Sequence, residues 1–331
     1  MTTLVTGANG FVGAAVVRHL LQEGEAVRVL VRRGSDRRNL AEVDVQVCEG
    51  DLRDRASLTS AMAGCGAVFH VAADYRLWVP KPAPMYAINV DGSVNVLECA
   101  AAAGVEVLVY TSSVAVLGIN SDRTPADEST PVTEADMIGH YKRSKFLAEA
   151  AVRRRATELG FPVVTVNPST PIGPRDVRPT PTGKIIVDAA NGKIPAYVDT
   201  GLNVVHVDDV AAGHLLARDR GVAGERYVLG GDDMSLQQIL TDVAERTGGP
   251  PPRIRLPRSV VYPVAVAGEI LGRVSGREPP VTLDGLRMSK KFMYFTSAKA
   301  ASALGYRWRA PTEAIGDALR WFGDNGYLEK A

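Results

Sequence analysis

The apolar positions in the first half of the chain alternate between two periods. Residues 3–6 are a short apolar run closed by Gly7. Phe11, Val12, Ala15, Val16 and Leu20 then recur at the spacing of one helix face across residues 11–22. Residues 26–31, 43–47, 67–72, 105–111 and 162–166 are β-branched or nearly continuous apolar runs. Such runs predict strands of a sheet covered on both faces. Between them, residues 54–63, 85–103 and 140–159 predict helices. Strands that alternate with helices pair in parallel through right-handed crossovers. The expected fold class is therefore α/β, a doubly wound parallel sheet.

The texture changes after residue 166. Residues 167–182 are rich in proline, threonine and glycine and fit no regular element. Residues 225–229 predict one strand returned to the sheet, and 235–247, 258–274 and 311–322 predict helices. Gly248-Gly249-Pro250-Pro251-Pro252 is a connector. The expected organisation is a dinucleotide-binding domain over 1–170, with the returning strand near 225–229, and a mainly substrate-binding domain over 171–331. There is no internal repeat or low-complexity tail.

With 331 residues, 46% of them hydrophobic, the chain has ample material for a core. A formal net charge of +1 gives no bulk signal for nucleic acid. Cys48, Cys65 and Cys99 are odd in number, lack metal spacing and adjoin small or apolar residues, so they are expected reduced and buried. The five histidines, His19, His70, His140, His206 and His214, form no metal spacing either. The N-terminus runs directly into a strand without a signal-peptide pattern. The most apolar later stretch, from Val260 to Leu271, contains Pro263 and Glu269 and is too short to span a bilayer. A soluble, cytoplasmic protein without a transmembrane segment is expected.

The first chemical motif is Gly7-Ala8-Asn9-Gly10-Phe11-Val12-Gly13, between a strand and a helix. Gly7 permits a tight turn, Gly10 lets backbone approach a pyrophosphate, and Gly13 lets the helix pack on the strand. The helix start offers unpaired N–H groups and a positive dipole end to phosphate. An ordinary glycine turn is the bland alternative. At the end of the second strand, where an acidic residue would bind the ribose of NAD, stands Arg32, with Arg33, Ser35, Arg37 and Arg38 nearby. Guanidinium groups suit a 2′-phosphate, so NADP is expected ahead of NAD, the alternative being a solvated basic loop. Asp51 and Leu52 follow the third strand; Asp51 could reach an adenine amino group or cap the next helix. His70, Val71, Ala72 and Ala73 end the fourth strand, His70 itself reading as a satisfied core histidine.

The central constellation is Thr111-Ser112-Ser113 followed by Tyr141 and Lys145, which share one face of a helix. A phenol titrates near ~10, so a base at neutral pH needs help. A neighbouring ammonium and an oxidised nicotinamide would lower it. Tyr141 could then exchange a proton with an alcohol or ketone oxygen that Ser113 holds. There is no Gly-x-Ser-x-Gly elbow and no phosphate loop ending in Gly-Lys-Ser or Gly-Lys-Thr.

Taken together, the sequence resembles the extended short-chain dehydrogenase/reductases. The matching stretches are Thr6-Gly7-x-x-Gly10-x-x-Gly13, Asp51-Leu52, His70-x-Ala72-Ala73, Asn89-Val90-x-Gly92, Ser113, Tyr141-x-x-x-Lys145 and His206-Val207-Asp208-Asp209. Within that superfamily it is most similar to the hopanoid-associated sugar epimerases. That likeness is carried by residues 71–78, by Gly139-His140-Tyr141-Lys142-Arg143-Ser144-Lys145, and by residues 167–174. A looser resemblance is to dihydroflavonol-reductase-like enzymes. The resemblance implies a Rossmann-type fold, a catalytic Ser113/Tyr141/Lys145 set, Lys145 also on the nicotinamide ribose, and Asn89 and Pro168 near the cofactor. It also implies a homodimer through the helices near 88–103 and 140–158, to which Val94, Leu97, Ala101 and Ala102 would add apolar surface. Asp74, Tyr75 and Trp78, with Ser169 and Thr170, are the candidate substrate contacts, because both loops follow strand C-terminal ends.

Three activities are consistent with these residues. The leading one is a hydride-transferring, sugar-epimerase-like enzyme acting on a sugar or polyol. Another is an NADPH-dependent ketone reductase. The third is a cofactor-binding regulatory protein without turnover.

Overall fold

The computed structural model describes residues 2–276, 278–279 and 281–329. The first half alternates strongly. It runs β1 (Thr2–Thr6), α1 (Phe11–Gln22), β2 (Ala26–Val31), β3 (Gln46–Glu49), α2 (Arg55–Met62) and β4 (Cys65–His70). There follow α3 (Ala83–Tyr86), a π-helical turn (Ala87–Asp91), α4 (Gly92–Ala102), β5 (Val107–Thr111), α5 (Gly139–Leu159) and β6 (Val163–Pro168).

The second half contains β7 (Thr170–Ile172), α6 (Pro181–Ala190), β8 (Ala196–Tyr197), β9 (Gly201–His206), α7 (Val207–Arg220) and β10 (Arg226–Leu229). It continues with β11 (Asp232–Ser235), α8 (Leu236–Thr247), β12 (Ile254–Arg255) and α9 (Arg258–Ser275). The last elements are α10 (Leu283–Met288), β13 (Phe292–Met293), α11 (Ala298–Leu304) and α12 (Pro311–Asp324).

Seven parallel strands form the main sheet in the order β3-β2-β1-β4-β5-β6-β10. This is the Rossmann-type doubly wound α/β arrangement. The reason those strands are apolar throughout is visible in the packing. Val5, Val29, Phe69 and Val109 enter the core beneath α1 and α7, while Leu4, Leu30, Val68 and Leu108 enter the opposite core beneath α2 and α4. Successive side chains point to opposite faces, so a strand buried on both sides needs both sets.

Two elements differ from the periodic reading. Of residues 43–47 only Gln46 and Val47 enter the third strand; β3 begins at Gln46, its register placing Val47 opposite Val29. Val43 and Val45 pack against the core from the preceding loop. The single helix expected over 85–103 is interrupted by the π-helical turn, which rotates Asn89 into the interior.

The second half does not stand apart as one block. Beyond β10, the chain returns α7 and α11 to the first layer, where Val210, Leu215, Ala300 and Leu304 join the core under β1. The remaining elements surround a separate core containing Ile172, Ile186, Ile239, Ile315 and Phe322. A small sheet of β11, β9, β13 and β7 links the two parts. No disulfide forms: Cys65 and Cys99 are buried, whereas Cys48 is only half-buried because the edge strand β3 is open on one side.

Candidate active site

The site lies at the C-terminal ends of the strands, around β1 and β4, where the strand order reverses. Its floor is the turn after β1. Gly7 has φ +70°, and a Cβ there would fall 2.6 Å from the Ala72 nitrogen. A Cβ on Gly13 would fall 2.2 Å from the Gly7 oxygen, so α1 can lie this close to β1 only with glycine. Gly10 is the N-cap of α1, and no side chain caps that first turn. Its N–H groups therefore remain open to an anion. Phe11 is buried and Val12 packs partly on the core, anchoring the helix start. Asn9 donates to the Asp36 carbonyl at 3.0 Å and receives Asn39 on its own carbonyl at 3.3 Å, tying this turn to the loop after β2.

Arg32 is exposed at the end of β2, with Arg33 beside it. Arg37 and Arg38 pair with Glu49 and Asp36. Asp51 does not cap α2; Asp54 does, accepting from the Ala56 nitrogen. The Asp51 carboxylate is gripped by Arg53 through bonds of 2.8 and 2.7 Å, which hold its pKa down to about 2. Leu52 is buried among the side chains beneath α4.

Ala72 donates to the Thr6 hydroxyl at 3.3 Å. His70 is fully buried between Thr6 at 2.8 Å and Ser93 at 2.9 Å. Ser93 gives its proton to the Asn89 carbonyl, so His70 donates from Nε2 and accepts at Nδ1. Burial and the charge of Lys145 push its pKa down to about 3, keeping it neutral. Asn89 is a clamp: its Oδ1 accepts from the Asp74 nitrogen at 2.7 Å, and its Nδ2 donates to the Asp74 carbonyl and the Ser144 hydroxyl, each at 2.9 Å. The substrate-side loop is thereby fastened to α5. The Asp74 carboxylate itself is held by Arg76.

The centre is built by β5 and α5. Ser113 lies two residues past β5 and caps the next turn; its hydroxyl accepts from the Ala115 nitrogen at 3.1 Å, and its carbonyl accepts from Asn167 at 3.0 Å. Tyr141 is half-buried in the first turn of α5. Lys145, one turn on, is buried and donates to the Thr111 carbonyl at 2.9 Å and to the Tyr110 hydroxyl at 3.3 Å. An ammonium has three donors, so one remains for a ligand.

Within the protein itself, burial pushes the Tyr141 phenol above its ordinary value, with a hydrogen bond to Ser113 opposing. Burial also pulls Lys145 down to about 8, against the opposing charge of Glu149.

A support layer lies behind this centre. Glu149, one turn beyond Lys145, accepts from Asn167 at 3.0 Å and pairs with Arg226 at 3.1 Å. Asn167 therefore bridges Glu149 and the Ser113 carbonyl. Glu149 could have been found from its spacing to Lys145; Arg226 carried no signal, because only β10 pairing with β6 brings it there.

Pro168 ends β6, and Ser169 follows with its backbone held by Leu229. Buried Oγ atoms of Ser112 and Ser169 and the Oδ1 of Asn167 have no hydrogen-bond partner among the described residues. Orphaned buried polar atoms beside a glycine cradle fit a polar ligand in this crevice. Thr170 is part of β7, paired with Val204. Tyr75 is exposed and Trp78 half-buried on the 74–78 loop.

The late motif is structural: His206 caps α7, accepting from the Asp208 nitrogen at 3.0 Å, and Asp209 pairs with Arg309 at 2.8 Å. Among the described residues there is no cluster of metal-ligating side chains. Leu97 is fully buried and cannot add to an outer face of α4; that surface carries Glu98, paired with Arg55 and Arg155.

These features define an NAD(P)-dependent oxidoreductase of the extended short-chain dehydrogenase/reductase type. The chain belongs to the NAD dependent epimerase/dehydratase family, whose model matches residues 3–230. It is 45% identical over 98% of its length to a dihydroflavonol 4-reductase-like protein of Synechocystis sp., covering 95% of that protein. It is 35% identical over 99% of its length to the sterol demethylase protein B of Methylococcus capsulatus, covering all of it (100%). The crystal structure of gox2253 shares 52% identity with a TM-score of 0.90, covering 99% of both chains. A nucleoside-diphosphate-sugar epimerase of Pseudomonas aeruginosa, at 24% identity and a TM-score of 0.82 over 99% of both chains, shares the fold.

Proposed function

We propose that this protein is an NADP(H)-linked oxidoreductase that interconverts a ketone and a secondary alcohol on a small molecule. The observation that carries this reading is Ser113 meeting the Tyr141 phenol one helical turn from a buried Lys145 held on the Thr111 carbonyl, with Arg32 where an acidic residue would select NAD. Gly7, Asn9, Gly10, Phe11, Val12 and Gly13 would cradle the pyrophosphate, Arg32 would meet a 2′-phosphate, and Asp51 and Leu52 would lie at the adenine. Ala72, Ala73, Asn89 and Pro168 would border the nicotinamide half, and Ser112 and Ser169 would find their missing partners there.

The bound nicotinamide supplies or takes up the hydride. In the reductive direction Tyr141 gives its phenolic proton to the carbonyl oxygen while Ser113 holds that oxygen by a hydrogen bond. A phenol kept above its ordinary pKa is protonated at neutral pH and suits this role as acid. The charge of Lys145 supports the phenolate left behind, and its free donor would hold the nicotinamide ribose. Asp74, Tyr75, Trp78, Ser169 and Thr170 would shape the substrate end. The relatives support a ketone substrate: the Stigmatella aurantiaca protein, 32% identical, is a ketoreductase of a farnesyl quinoline oxide.

A second reading, a sugar epimerase, is supported by the family's description and by the resemblance of residues 71–78 and 167–174. It returns the hydride to the opposite face and consumes no cofactor. Incubation with ketones and sugars separates the two. A reductase oxidises one NADPH per product; inversion at a carbinol carbon with NADPH unchanged would overturn the reductase reading. A homodimer through α4 and α5 remains part of the proposal, with Val94 and Ala102 on its surface.

A further inference from the structure

A surface helix ordinarily turns its apolar face inward. α9 does the reverse. Its inner side is built of Ala265 and Gly272, both buried, with Val261 and Gly268 partly covered. Glu269 also points inward, accepting from the Leu283 nitrogen at 3.0 Å. At 100° per residue, Val260, Pro263, Val264, Ala267, Ile270 and Leu271 fall on one outward arc of about 120°. Val260, Val264, Ile270 and Leu271 are 58%, 61%, 60% and 68% exposed. No acidic residue interrupts that arc, and Ile254, just before the helix, is 59% exposed as well. An apolar strip of this kind on an otherwise polar surface marks a contact with something apolar.

The charge around the strip identifies its partner. Residues 253–291 contain eight arginines and lysines against three acidic residues, although the whole chain carries a formal net charge of only +1. Arg253, Arg255, Arg273, Arg287 and Lys290 are exposed. Some are shared with carboxylates: Arg255 lies 3.8 Å from Asp199, Arg273 3.8 Å from Glu269 and Arg287 3.2 Å from Asp284. Arg258 is turned inward onto the Asp199 and Ser289 carbonyls. A second copy of this segment would bring like charge against like. A bilayer with anionic headgroups meets both features at once, taking the apolar arc below its surface and the arginines at its phosphates.

We propose that α9 lies flat on an anionic phospholipid surface and docks the protein there as a peripheral membrane protein. The docking rests on α9 alone and not on the reaction proposed above. It does connect with the site. α10, against which α9 packs, places the Asp284 carboxylate 3.0 Å from where a Cβ on Gly139 would stand. Gly139 opens α5, two residues before Tyr141. The docked hairpin therefore sets the start of the catalytic helix close to the bilayer surface.

The test is flotation of the full chain with vesicles of phosphatidylcholine alone and of equimolar phosphatidylcholine and phosphatidylglycerol. The comparison is the double variant Val264→Glu/Leu271→Glu, whose positions are exposed and leave the folded core untouched. The wild type is expected to float with the phosphatidylglycerol vesicles, less so at high salt, and the variant to lose about tenfold or more of its bound fraction. NADPH binding and turnover of a soluble ketone are measured on both proteins; equal values show that the variant is intact. A wild type that stays unbound, or a variant that floats equally, overturns the proposal. A light-scattering mass that falls in the variant without any vesicle binding overturns it too, and assigns the strip to a second copy of the chain. Failure of the ketone assay in both proteins would count against the proposed reaction and leave the flotation result standing.

Discussion

Lys145 is buried as a cation, and this has a consequence for stability that can be read against pH. Its ordinary pKa of 10.5 is brought to about 8, chiefly by loss of water, with Glu149 opposing. The unfolded chain therefore holds a proton between about 8 and 10.5 that the folded chain has released. Stability contributed by this group rises with pH across that window. Below it the burial cost is fully present, about 3 kcal/mol from the two pKa values. Replacing Lys145 with methionine removes the cost but leaves the Thr111 carbonyl without its donor, about 1–3 kcal/mol in the other direction. Near pH 7.5 the two nearly cancel.

Between pH 7.5 and 10 the wild type should gain about 2 kcal/mol relative to Lys145→Met, whatever other groups titrate in both proteins. Urea unfolding of the two at each pH reads this difference directly. A gap that stays flat, or moves the other way, would show that Lys145 is not carried as a costly buried cation. Turnover of Lys145→Met should be lost at every pH, so stability and activity part company at this one residue.

Three further outcomes follow from the same geometry. Tyr141→Phe should lower turnover by about 10²–10⁴-fold while NADPH binding persists; near-normal turnover in a variant folded by circular dichroism would refute the role assigned to the phenol. Arg32→Asp should shift cofactor preference towards NAD(H), and calorimetry showing NAD bound as tightly as NADP by the wild type would remove the reason for it. Asp176 is buried, one of its oxygens has no partner among the described residues, and burial raises its carboxyl from 3.8 to about 6. Its cost therefore grows as pH rises through that window, and Asp176→Asn should stabilise the protein by about 2–3 kcal/mol at pH 8 and by under about 1 kcal/mol near pH 4. Equal denaturation midpoints at pH 8 would contradict this.

Much of the molecule was legible in the chain itself. Runs such as residues 26–31, apolar on both faces, state a covered parallel strand, and the glycines at 7, 10 and 13 state a turn that closes on its neighbours. The spacing of Tyr141 and Lys145 put both on one helix face because the helical repeat is local. These features depend on neighbours only a few residues away, which is why a sequence displays them.

The tertiary structure decided what depends on distant partners. Which hydrogen bonds occupy Lys145 was set by β5 lying against α5. Arg226 reaches Glu149 only because β10 pairs with β6, across more than fifty residues of intervening chain. Asn89 became a clamp on Asp74 and Ser144 through a π-helical turn that no periodicity announced. Leu97 was turned to the buried side of α4, and the apolar side of α9 was left facing outward. An apolar residue states that it prefers to leave water; only the packing of the whole chain decides whether another part of the same molecule is there to receive it.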